Sequence, residues 1–320
     1  MTRAVANRID NLCAPLFVSW QITRDCDLAC LHCCTESAPG KRLRDELEHE
    51  EALRVAGEII AGQVPYVMLC GGEPLVCPHF LELAEMLGGA GVDLKVETNG
   101  QRLDAAVVAR LAKLPIRSIQ MSLDGDTEDV YGRQRPGGSL ARVHAACIAV
   151  RDAGLPLEVT FAPTRINIEQ LEAVLRRAEA LGAFRFNTGK LMRIGTAARQ
   201  WRRLEPTAEQ YWRFVATLER ESRVEREMEL CYSPFDVAEG LSRSVEEPPA
   251  TMLVLPNGWV KVAAALPYIC ADLRKATLAQ AWQQYCAAWQ GDEIKAAARR
   301  AIADDARHAE ANTWQLMQVA

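Results

Sequence analysis

The sequence has no long apolar segment and no signal peptide. None of its apolar runs approaches the roughly 20 residues that a membrane-spanning helix needs. The N-terminal stretch MTRAVANRIDNLCAPL lacks the apolar centre of a secretory signal. We therefore expect a cytoplasmic protein with no membrane partner. Cysteines are usually reduced in that compartment, so disulfides are not the expected use of the eleven cysteines.

The chain also lacks an excess of positive charge, internal repeats and low-complexity segments. Its 42 acidic and 37 basic residues give a net charge of −5, which does not indicate a nucleic-acid partner. Because 49% of its 320 residues are hydrophobic, the chain can form one large α/β domain, alone or with an appendage. What the sequence does have is an odd number of cysteines, four of them within residues 26–34.

Apolar and β-branched runs alternate with helical periodicity over the first two thirds of the chain. Several of the helical segments end in glycine, as helices often do at their C-termini. The alternation predicts a parallel sheet with right-handed crossovers, either an incomplete barrel or an open doubly wound sheet. The six predicted strands are residues 16–22, 64–69, 92–97, 116–123, 157–162 and 184–192.

The pattern changes after a predicted helix near residues 207–222. The segment TMLVLPNGWVKV, residues 251–262, has two apolar runs about a Pro-Asn-Gly turn and predicts a β-hairpin. Two amphipathic helices are predicted after it, near residues 277–289 and 292–304. We therefore divide the chain into an N-terminal lead-in, a partial barrel and a small C-terminal α+β module, at residues 1–15, 16–230 and 231–320.

A polar or glycine-rich cluster follows each of the first four predicted strands. Three cysteines in the spacing C-x3-C-x2-C follow the first strand, and CGGEPL, residues 70–75, follows the second. ETNG, residues 97–100, and SLDG, residues 122–125, stand at the ends of the third and fourth strands. The carboxyl ends of parallel strands lie on one rim, where βα folds place their chemistry. We therefore expect the four clusters to form one site.

The spacing of Cys26, Cys30 and Cys33 supplies three thiolates for a metal site. A closed zinc site usually has a second cysteine pair elsewhere, and a ferredoxin-type cluster needs four cysteines. Three cysteines on a 4Fe-4S cluster would leave one iron open. A structural zinc site remains an alternative from the spacing alone, although it would not require the other three clusters at the rim.

Together, CDLACLHC, GGEP, ETNG and SLDG resemble the motifs of the radical S-adenosylmethionine (radical SAM) superfamily, over residues 16–225. The resemblance implies an α/β fold with a partial (β/α)6 TIM-like barrel, a catalytic 4Fe-4S cluster and bound SAM. In that family the open iron binds SAM, and one electron from the cluster generates a 5′-deoxyadenosyl radical that removes a hydrogen atom from the substrate. An electron donor such as flavodoxin or ferredoxin is then an expected partner.

The resemblance also assigns site residues. Cys26, Cys30 and Cys33 would hold the cluster. Arg133, or alternatively Arg135, would pair with the carboxylate of SAM. The other predicted SAM-binding residues are Gly71, Gly72, Glu73 and Pro74 near the methionine amino group, and Thr98, Asn99, Gly100, Ser122 and Asp124 along the adenosyl and ribose pocket.

Residues 258–282 resemble the start of a Twitch or SPASM extension, the module that carries auxiliary clusters in many radical SAM enzymes. Positions that hold cysteines in that pattern are occupied here by Ala263, Ala306 and Ala309. Because alanine cannot bind iron, we expect the chain to hold a single cluster, ligated by three cysteines.

The predicted substrate is a small molecule. Peptide-modifying relatives commonly have an N-terminal peptide-recognition domain, and a first strand near residue 16 leaves no room for one. We therefore expect a sugar or aminoglycoside intermediate of natural-product biosynthesis that undergoes epimerisation or a redox change at a C–H carbon. Two alternatives are a maturase of ribosomally synthesised peptides that uses a separate recognition protein, and a non-catalytic iron–sulfur or zinc scaffold protein.

Cys270 is the predicted catalytic residue. It lies between the predicted hairpin and the next helix, in a connection that could fold over the open end of the barrel. Radical SAM sugar epimerases are similar in using a cysteine thiol to return a hydrogen atom to the substrate radical. By this resemblance, Cys270 would be the hydrogen donor of an epimerase.

Overall fold

One mixed sheet forms the centre of the molecule. The structure is a computed structural model and describes residues 9–233 and 236–317, so residues 1–8 of the predicted lead-in lie outside the described residues. The strands are β1 (Phe17–Gln21), β2 (Tyr66–Cys70), β3 (Asp93–Thr98), β4 (Ile116–Ser122), β5 (Leu157–Phe161), β6 (Arg185–Gly189), β7 (Glu229–Ser233), β8 (Thr251–Val254), β9 (Trp259–Lys261), β10 (Tyr268–Asp272) and β11 (Gln315–Leu316). Their order across the sheet is β11-β10-β9-β8-β1-β2-β3-β4-β5-β6-β7.

Helices connect most of the successive strands. They are α1 (His49–Ala61), α2 (Phe80–Gly89), α3 (Ala105–Leu111), α4 (Glu128–Gln134), α5 (Leu140–Asp152), α6 (Leu171–Ala180), α7 (Thr196–Arg199), α8 (Trp201–Leu204), α9 (Ala208–Glu221), α10 (Val237–Glu246), α11 (Leu278–Gln290) and α12 (Asp292–Ala303). Both α9 and α11 begin with a capping box, formed by Thr207 with Gln210 and by Thr277 with Gln280. These side chains satisfy backbone N–H groups that have no partner inside the helix, which fixes where each helix begins.

The strands alternate between an apolar face and a polar face. In β3, Leu94 and Val96 are fully buried, whereas Lys95 and Glu97 lie on the other face. Side chains of a strand alternate with a period of two, so one face packs against helices such as α2 and the other lines the barrel interior. Charged and amide side chains are therefore directed to the inside of the barrel.

The predicted α/β fold with a partial barrel is confirmed. Strands β1 to β6 are six parallel strands in sequence order. Ser19 in β1 and Lys190 directly after β6 line the same cavity, so the sheet curves around it. A seventh parallel strand, β7, pairs with β6 and was not predicted. It is a short edge strand, and its apolar residues Leu230 and Tyr232 are only partly buried against the core.

The C-terminal segment extends the same sheet. The predicted hairpin is present, since β8 and β9 are antiparallel with Leu253 opposite Lys261. Helices α11 and α12 follow it close to their predicted bounds. Strand β8 also pairs in parallel with β1, beginning with Phe17 opposite Thr251. The sheet is therefore continuous between the predicted barrel and the predicted module, and the division at residue 231 stays a prediction.

The hydrophobic core lies between the sheet and its helices and continues into α11. Trp20 in β1 and both Trp282 and Trp289 in α11 are at most 2% exposed and belong to one apolar cluster. Trp282 Nε1 also donates to the carbonyl of Leu12 at 2.8 Å, which joins the two ends of the described chain. Across residues 9–233 and 236–317, no helix combines the length and the apolar character needed to cross a membrane.

Candidate active site

A cavity of about 410 Å³ opens at the carboxyl ends of the parallel strands. Residues at the ends of four neighbouring strands contribute to its wall: Gln21, Cys70, Thr98 and Ser122. Cys26, Cys30 and Cys33, from the loop after β1, line it as well. The structure thus brings the four motif clusters of the sequence to one rim.

The three cysteines present sulfur atoms that already accept hydrogen bonds. The backbone N–H of Leu28 donates to Cys26 Sγ at 3.4 Å, and that of Ser37 donates to Cys33 Sγ at 3.3 Å. Such donors favour the thiolate form. Burial nevertheless raises the pKa of Cys26 to about 12 and that of Cys30 to about 11. In the absence of metal these two thiols are therefore protonated, and metal binding has to release their protons.

The three thiols form a donor set that an iron–sulfur cluster can use. Within the described part of the chain, no group of three or more His, Cys, Asp and Glu side chains is arranged to hold one metal ion. Each cysteine of an iron–sulfur cluster binds a different iron, so its ligands need not converge on one point. Three sulfurs that line one cavity and accept hydrogen bonds are a donor set of the kind that iron–sulfur clusters use.

The GGEP segment packs by its backbone against the chain that leads into the cysteine loop. The N–H of Gly72 donates to the carbonyl of Thr23 at 2.7 Å, and the N–H of Glu73 donates to that of Asp25 at 2.9 Å. A Cβ atom on Gly71 or Gly72 would overlap these two carbonyl oxygens. Only glycine permits so close an approach of two backbones, and both glycines line the cavity.

Glu73 joins two motifs and is not part of the cavity wall. Its buried carboxylate accepts hydrogen bonds from Thr98 Oγ1 at 2.7 Å and from the N–H of Asn99 at 2.8 Å. Burial raises the pKa of Glu73 to about 7. Asn99 Nδ2 in turn donates to Asp27 Oδ1 in the cysteine loop at 2.7 Å. We expected both Glu73 and Pro74 at the SAM pocket, but Thr98 and Asn99 line the cavity and these two do not.

Of the two arginines expected at the carboxylate of SAM, Arg135 lines the cavity and Arg133 does not. Arg133 is exposed in the last turn of α4, where it pairs with Asp129 at 2.7 Å. Arg135 is buried and lines the cavity. Its Nε donates to Asp124 Oδ2 at 2.6 Å, and its Nη1 donates to Cys30 Sγ at 3.5 Å. The two arginines point in different directions because α4 ends between them.

Asp124 holds Arg135 and does not itself line the cavity. Its fully buried carboxylate also lies 3.2 Å from His32 Nε2 and accepts the N–H of Ala162 at 2.7 Å. Burial alone would raise the pKa of Asp124, but the charge of Arg135 and the contact with His32 hold it well below its usual range. Gly100, another predicted pocket residue, is buried next to Met121 and also does not line the cavity.

Cys270 does not line the cavity. It lies in β10, which pairs with both β9 and β11, and its buried thiol donates to the carbonyl of Val260 at 3.4 Å. The segment therefore extends the sheet. We had expected it to fold over the open end of the barrel, and it does not. A role as hydrogen donor to a substrate in the cavity would require β10 to rearrange.

The alanines that stand where auxiliary cysteines were expected are spread over two segments. Ala263 follows β9 and is half-buried, whereas Ala306 and Ala309 are exposed in the short 3₁₀ helix Asp305–Glu310. All eleven cysteines lie in the described part of the chain, and none of them forms a disulfide.

Several residues of the cavity wall were missed from the sequence. Two further thiols, Cys34 and Cys70, line it together with Glu97. The carboxylate of Glu97 accepts a hydrogen bond from Gln120 Nε2 at 2.8 Å, and burial raises the pKa of Glu97. Cys70 directly precedes GGEP and Glu97 opens ETNG, so their positions at strand ends were the available signal. No local pattern indicates Lys190, which lines the cavity from the end of β6.

Residues 20–178 match the family model of the radical SAM superfamily. Mycofactocin maturase MftC of Mycobacterium ulcerans (strain Agy99) is 36% identical over 215 residues, which cover 66% of this chain and 58% of that protein. PqqA peptide cyclase of Granulibacter bethesdensis is 30% identical over 206 residues, which cover 64% of this chain and 55% of that protein. GTP 3′,8-cyclase of Rhodopseudomonas palustris is 34% identical over 167 residues, which cover 50% of this chain and 48% of that protein. The chain thus spans about half the length of the curated relatives that it matches.

The fold is similar to that of a solved structure that binds a peptide. Streptococcus suis SuiB bound to precursor peptide SuiA superposes with a TM-score of 0.69 at 14% identity, covering 91% of this chain and 68% of that chain. At this level of identity, the likeness concerns the fold alone.

Proposed function

Because the chain belongs to the radical SAM superfamily, we propose that it is a radical SAM enzyme whose single 4Fe-4S cluster is held by Cys26, Cys30 and Cys33. The observation that carries the proposal is that these three thiols line one cavity with the backbone of Gly72 and the guanidinium of Arg135. When bound, the cluster and SAM supply reductive cleavage of the sulfonium and abstraction of a hydrogen atom from the substrate.

The protein side of this proposal is the positioning of ligands at the rim. Gly71 and Gly72 let the strand end approach the cysteine loop, so that backbone carbonyl groups of this segment can contact the amino group of SAM. Arg135 is fixed through Nε by Asp124, and its outer nitrogens contact Cys30 Sγ at 3.5 Å and His32 Nε2 at 3.3 Å, two residues that also line the cavity. A guanidinium held in this way offers a bidentate surface to a carboxylate.

We propose a peptide substrate in place of the small molecule expected from the sequence. PqqA peptide cyclase is named for a peptide, and SuiB was solved with a precursor peptide bound. GTP 3′,8-cyclase is named for a nucleotide, so the relatives alone leave the substrate class open. The shape of the site supports the peptide: Lys190 and Leu191 line both the cavity and a neighbouring groove of about 220 Å³. An extended chain can lie in the groove and place one residue in the cavity.

The predicted outcome remains an epimerisation or a redox change at a C–H carbon of that substrate. The predicted electron donor, a flavodoxin or ferredoxin, and a separate recognition protein for the peptide belong to the same proposal. A non-catalytic scaffold protein would not require two glycines and a buried arginine in the wall of the cavity that the three thiols line.

The test is anaerobic reconstitution with iron and sulfide, followed by reduction in the presence of SAM. We expect about four iron atoms per chain and release of 5′-deoxyadenosine. Cys33→Ala should lose the cluster, whereas Cys34→Ala is the matched control, because its thiol lines the same cavity one residue away. About eight irons per chain would mean a second cluster that we did not identify. Loss of the cluster in Cys34→Ala, with retention in Cys33→Ala, would show that the ligand assignment is wrong.

The substrate class is tested with peptides encoded next to the gene, added to the reduced enzyme with SAM. A peptide substrate should increase the yield of 5′-deoxyadenosine and change in mass or stereochemistry. Turnover of a sugar or aminoglycoside, with no response to any such peptide, would return the assignment to a small molecule.

A further inference from the structure

Lys261 is a buried lysine at the edge of the active site. It ends β9, and the residue is 3% exposed. Among the residues that the structure describes, Lys95, Lys190 and Lys275 form ion pairs with carboxylates within 4 Å, but Lys261 forms none. Lys95, which also lies in the interior of the sheet, is bound to Glu158 at 2.8 Å. The two interior lysines thus differ in that only Lys95 has an anionic partner.

The contacts of the Lys261 ammonium are neutral. Nζ donates to the carbonyl of Ala264 at 2.8 Å and lies 3.5 Å from Asn312 Oδ1, at the limit of a hydrogen bond. An ammonium has three N–H donors, so these contacts do not use all of them. Burial lowers the pKa of Lys261 to about 8, so the group is still largely protonated at neutral pH. A buried charge whose partners are neutral is unfavourable until an anion binds it.

The space beside Lys261 is an extension of the active-site cavity. Lys261 and Asn312 line a pocket of about 50 Å³. Cys34, Met192 and Leu253 belong both to the wall of this pocket and to that of the 410 Å³ cavity. A water molecule occupies about 30 Å³ in the liquid, so the pocket has room for one small polar group. A carboxylate is of this size, and its negative charge would give the Lys261 ammonium the anionic partner that it does not have among the described residues.

The carboxylates already present near Lys261 are engaged elsewhere. Cys34 and, to a smaller extent, Glu36 raise the pKa of Lys261, but the Glu36 carboxylate is bound by Arg24 at 3.0 Å and by Arg199. Glu97, in the wall of the main cavity, accepts its hydrogen bond from Gln120. No carboxylate of the described residues therefore pairs with Lys261 within 4 Å, which leaves its ammonium available to an anion from a bound molecule.

We propose that Lys261 binds a carboxylate group of the substrate and so places the substrate in the cavity. The inference rests on the proposed function, because it assigns a contact to the substrate of that same site. In a peptide, the carboxylate is either that of the chain terminus or that of an acidic side chain. Asn312 is then a positioning residue, since it contacts Lys261 and also donates to the carbonyl of Cys34 at 2.8 Å.

The test compares Lys261→Met with Lys275→Met, each reconstituted with cluster and SAM. Lys275 belongs to the same C-terminal segment, but its side chain is 84% exposed and pairs with Asp272, which makes it the matched control. Three probes are titrated by ligand-observed NMR: N-acetylvaline, N-acetylvaline amide and N-acetylaspartate amide. The first carries a terminal carboxylate, the second carries none and the third carries one on its side chain.

We expect the wild type and Lys275→Met to bind one of the two acids at least about tenfold more tightly than the amide. Lys261→Met should lose this preference. Preference for N-acetylvaline assigns the pocket to a chain terminus, and preference for N-acetylaspartate amide assigns it to a side chain. Equal or undetectable binding of acids and amide by the wild type would overturn the proposal, as would a preference that survives in Lys261→Met.

Two parallel measurements separate this result from other failures. Thermal unfolding of Lys261→Met should occur at the wild-type temperature or above, because an apolar residue of similar volume replaces a buried charge. Release of 5′-deoxyadenosine by the wild type is measured on the same preparation. Absence of this product would contradict the proposed radical SAM activity, whereas its presence without carboxylate binding would contradict only the role of Lys261.

Discussion

Replacement of Arg135 by methionine is expected to destabilise the protein severely, because it leaves the Asp124 carboxylate buried without its cation. Asp124 is fully buried, Arg135 is 8% exposed, and Nε lies 2.6 Å from Oδ2. Removal of one partner from a buried ion pair typically costs about 3–5 kcal/mol. His32 and the N–H of Ala162 still contact Asp124, so we expect a value near the lower end, about 3 kcal/mol.

Arg133→Met is the matched control, two residues away and with the same substitution. The pair of Arg133 with Asp129 has an N–O distance of 2.7 Å, but its side chains are 55% and 75% exposed. Exposed helical pairs of this kind contribute about 0.3–0.5 kcal/mol. The free energies of unfolding of both variants are measured by urea titration at pH 7.5. A difference of less than about 1 kcal/mol between them would refute the assignment of Arg135 as the buried partner of Asp124.

The pH dependence gives an independent check on the same pair. Because the folded-state pKa of Asp124 is lowered, its contribution to stability is present above the unfolded pKa of about 3.9 and is lost as the pH falls below it. The stability difference between wild type and Arg135→Met should therefore shrink between pH 5 and pH 3. A difference that stays constant over this range would mean that Asp124 is not the group responsible.

The rim of the site was predictable because its signals are local. Each of the first four strands of the barrel is followed by a glycine-rich or polar cluster, and parallel strands must end on one side. Cys26, Gly72 and Thr98 could therefore be brought together from their sequence positions alone. Strand β7 was missed because it is a short edge strand whose apolar residues, Leu230 and Tyr232, are only partly buried.

Other features depend on contacts that no local pattern contains. The choice between Arg133 and Arg135 depends on where α4 ends, because Arg133 is exposed in its last turn and Arg135 is buried directly after it. Lys261 comes to the pocket beside the cavity because its strand, β9, pairs with β8, and β8 pairs in parallel with β1, which is a contact between residues more than 200 positions apart. The sequence after the hairpin did not distinguish a strand from a connecting loop, so Cys270 was expected in a loop over the barrel although it lies in β10. Tertiary pairing decided each of these outcomes.

Three further predictions concern single positions. Gly72→Ala should lower the free energy of unfolding by about 1–3 kcal/mol, because its Cβ meets the backbone of Asp25, whereas Gly89→Ala, with open space around it in α2, should be neutral or stabilising in the same urea titration. The stability of wild type relative to Lys261→Met should rise between pH 8 and pH 10, since the unfolded chain binds the proton more tightly than the folded one; a flat difference curve would contradict burial of the ammonium. Cys270 is buried in β10 away from the cavity, so Cys270→Ala should cleave SAM and, with a peptide substrate in deuterated water, incorporate deuterium as the wild type does. Loss of deuterium incorporation in this variant, with SAM cleavage intact, would restore Cys270 as the hydrogen donor, because a thiol contributes to that step only if it reaches the substrate.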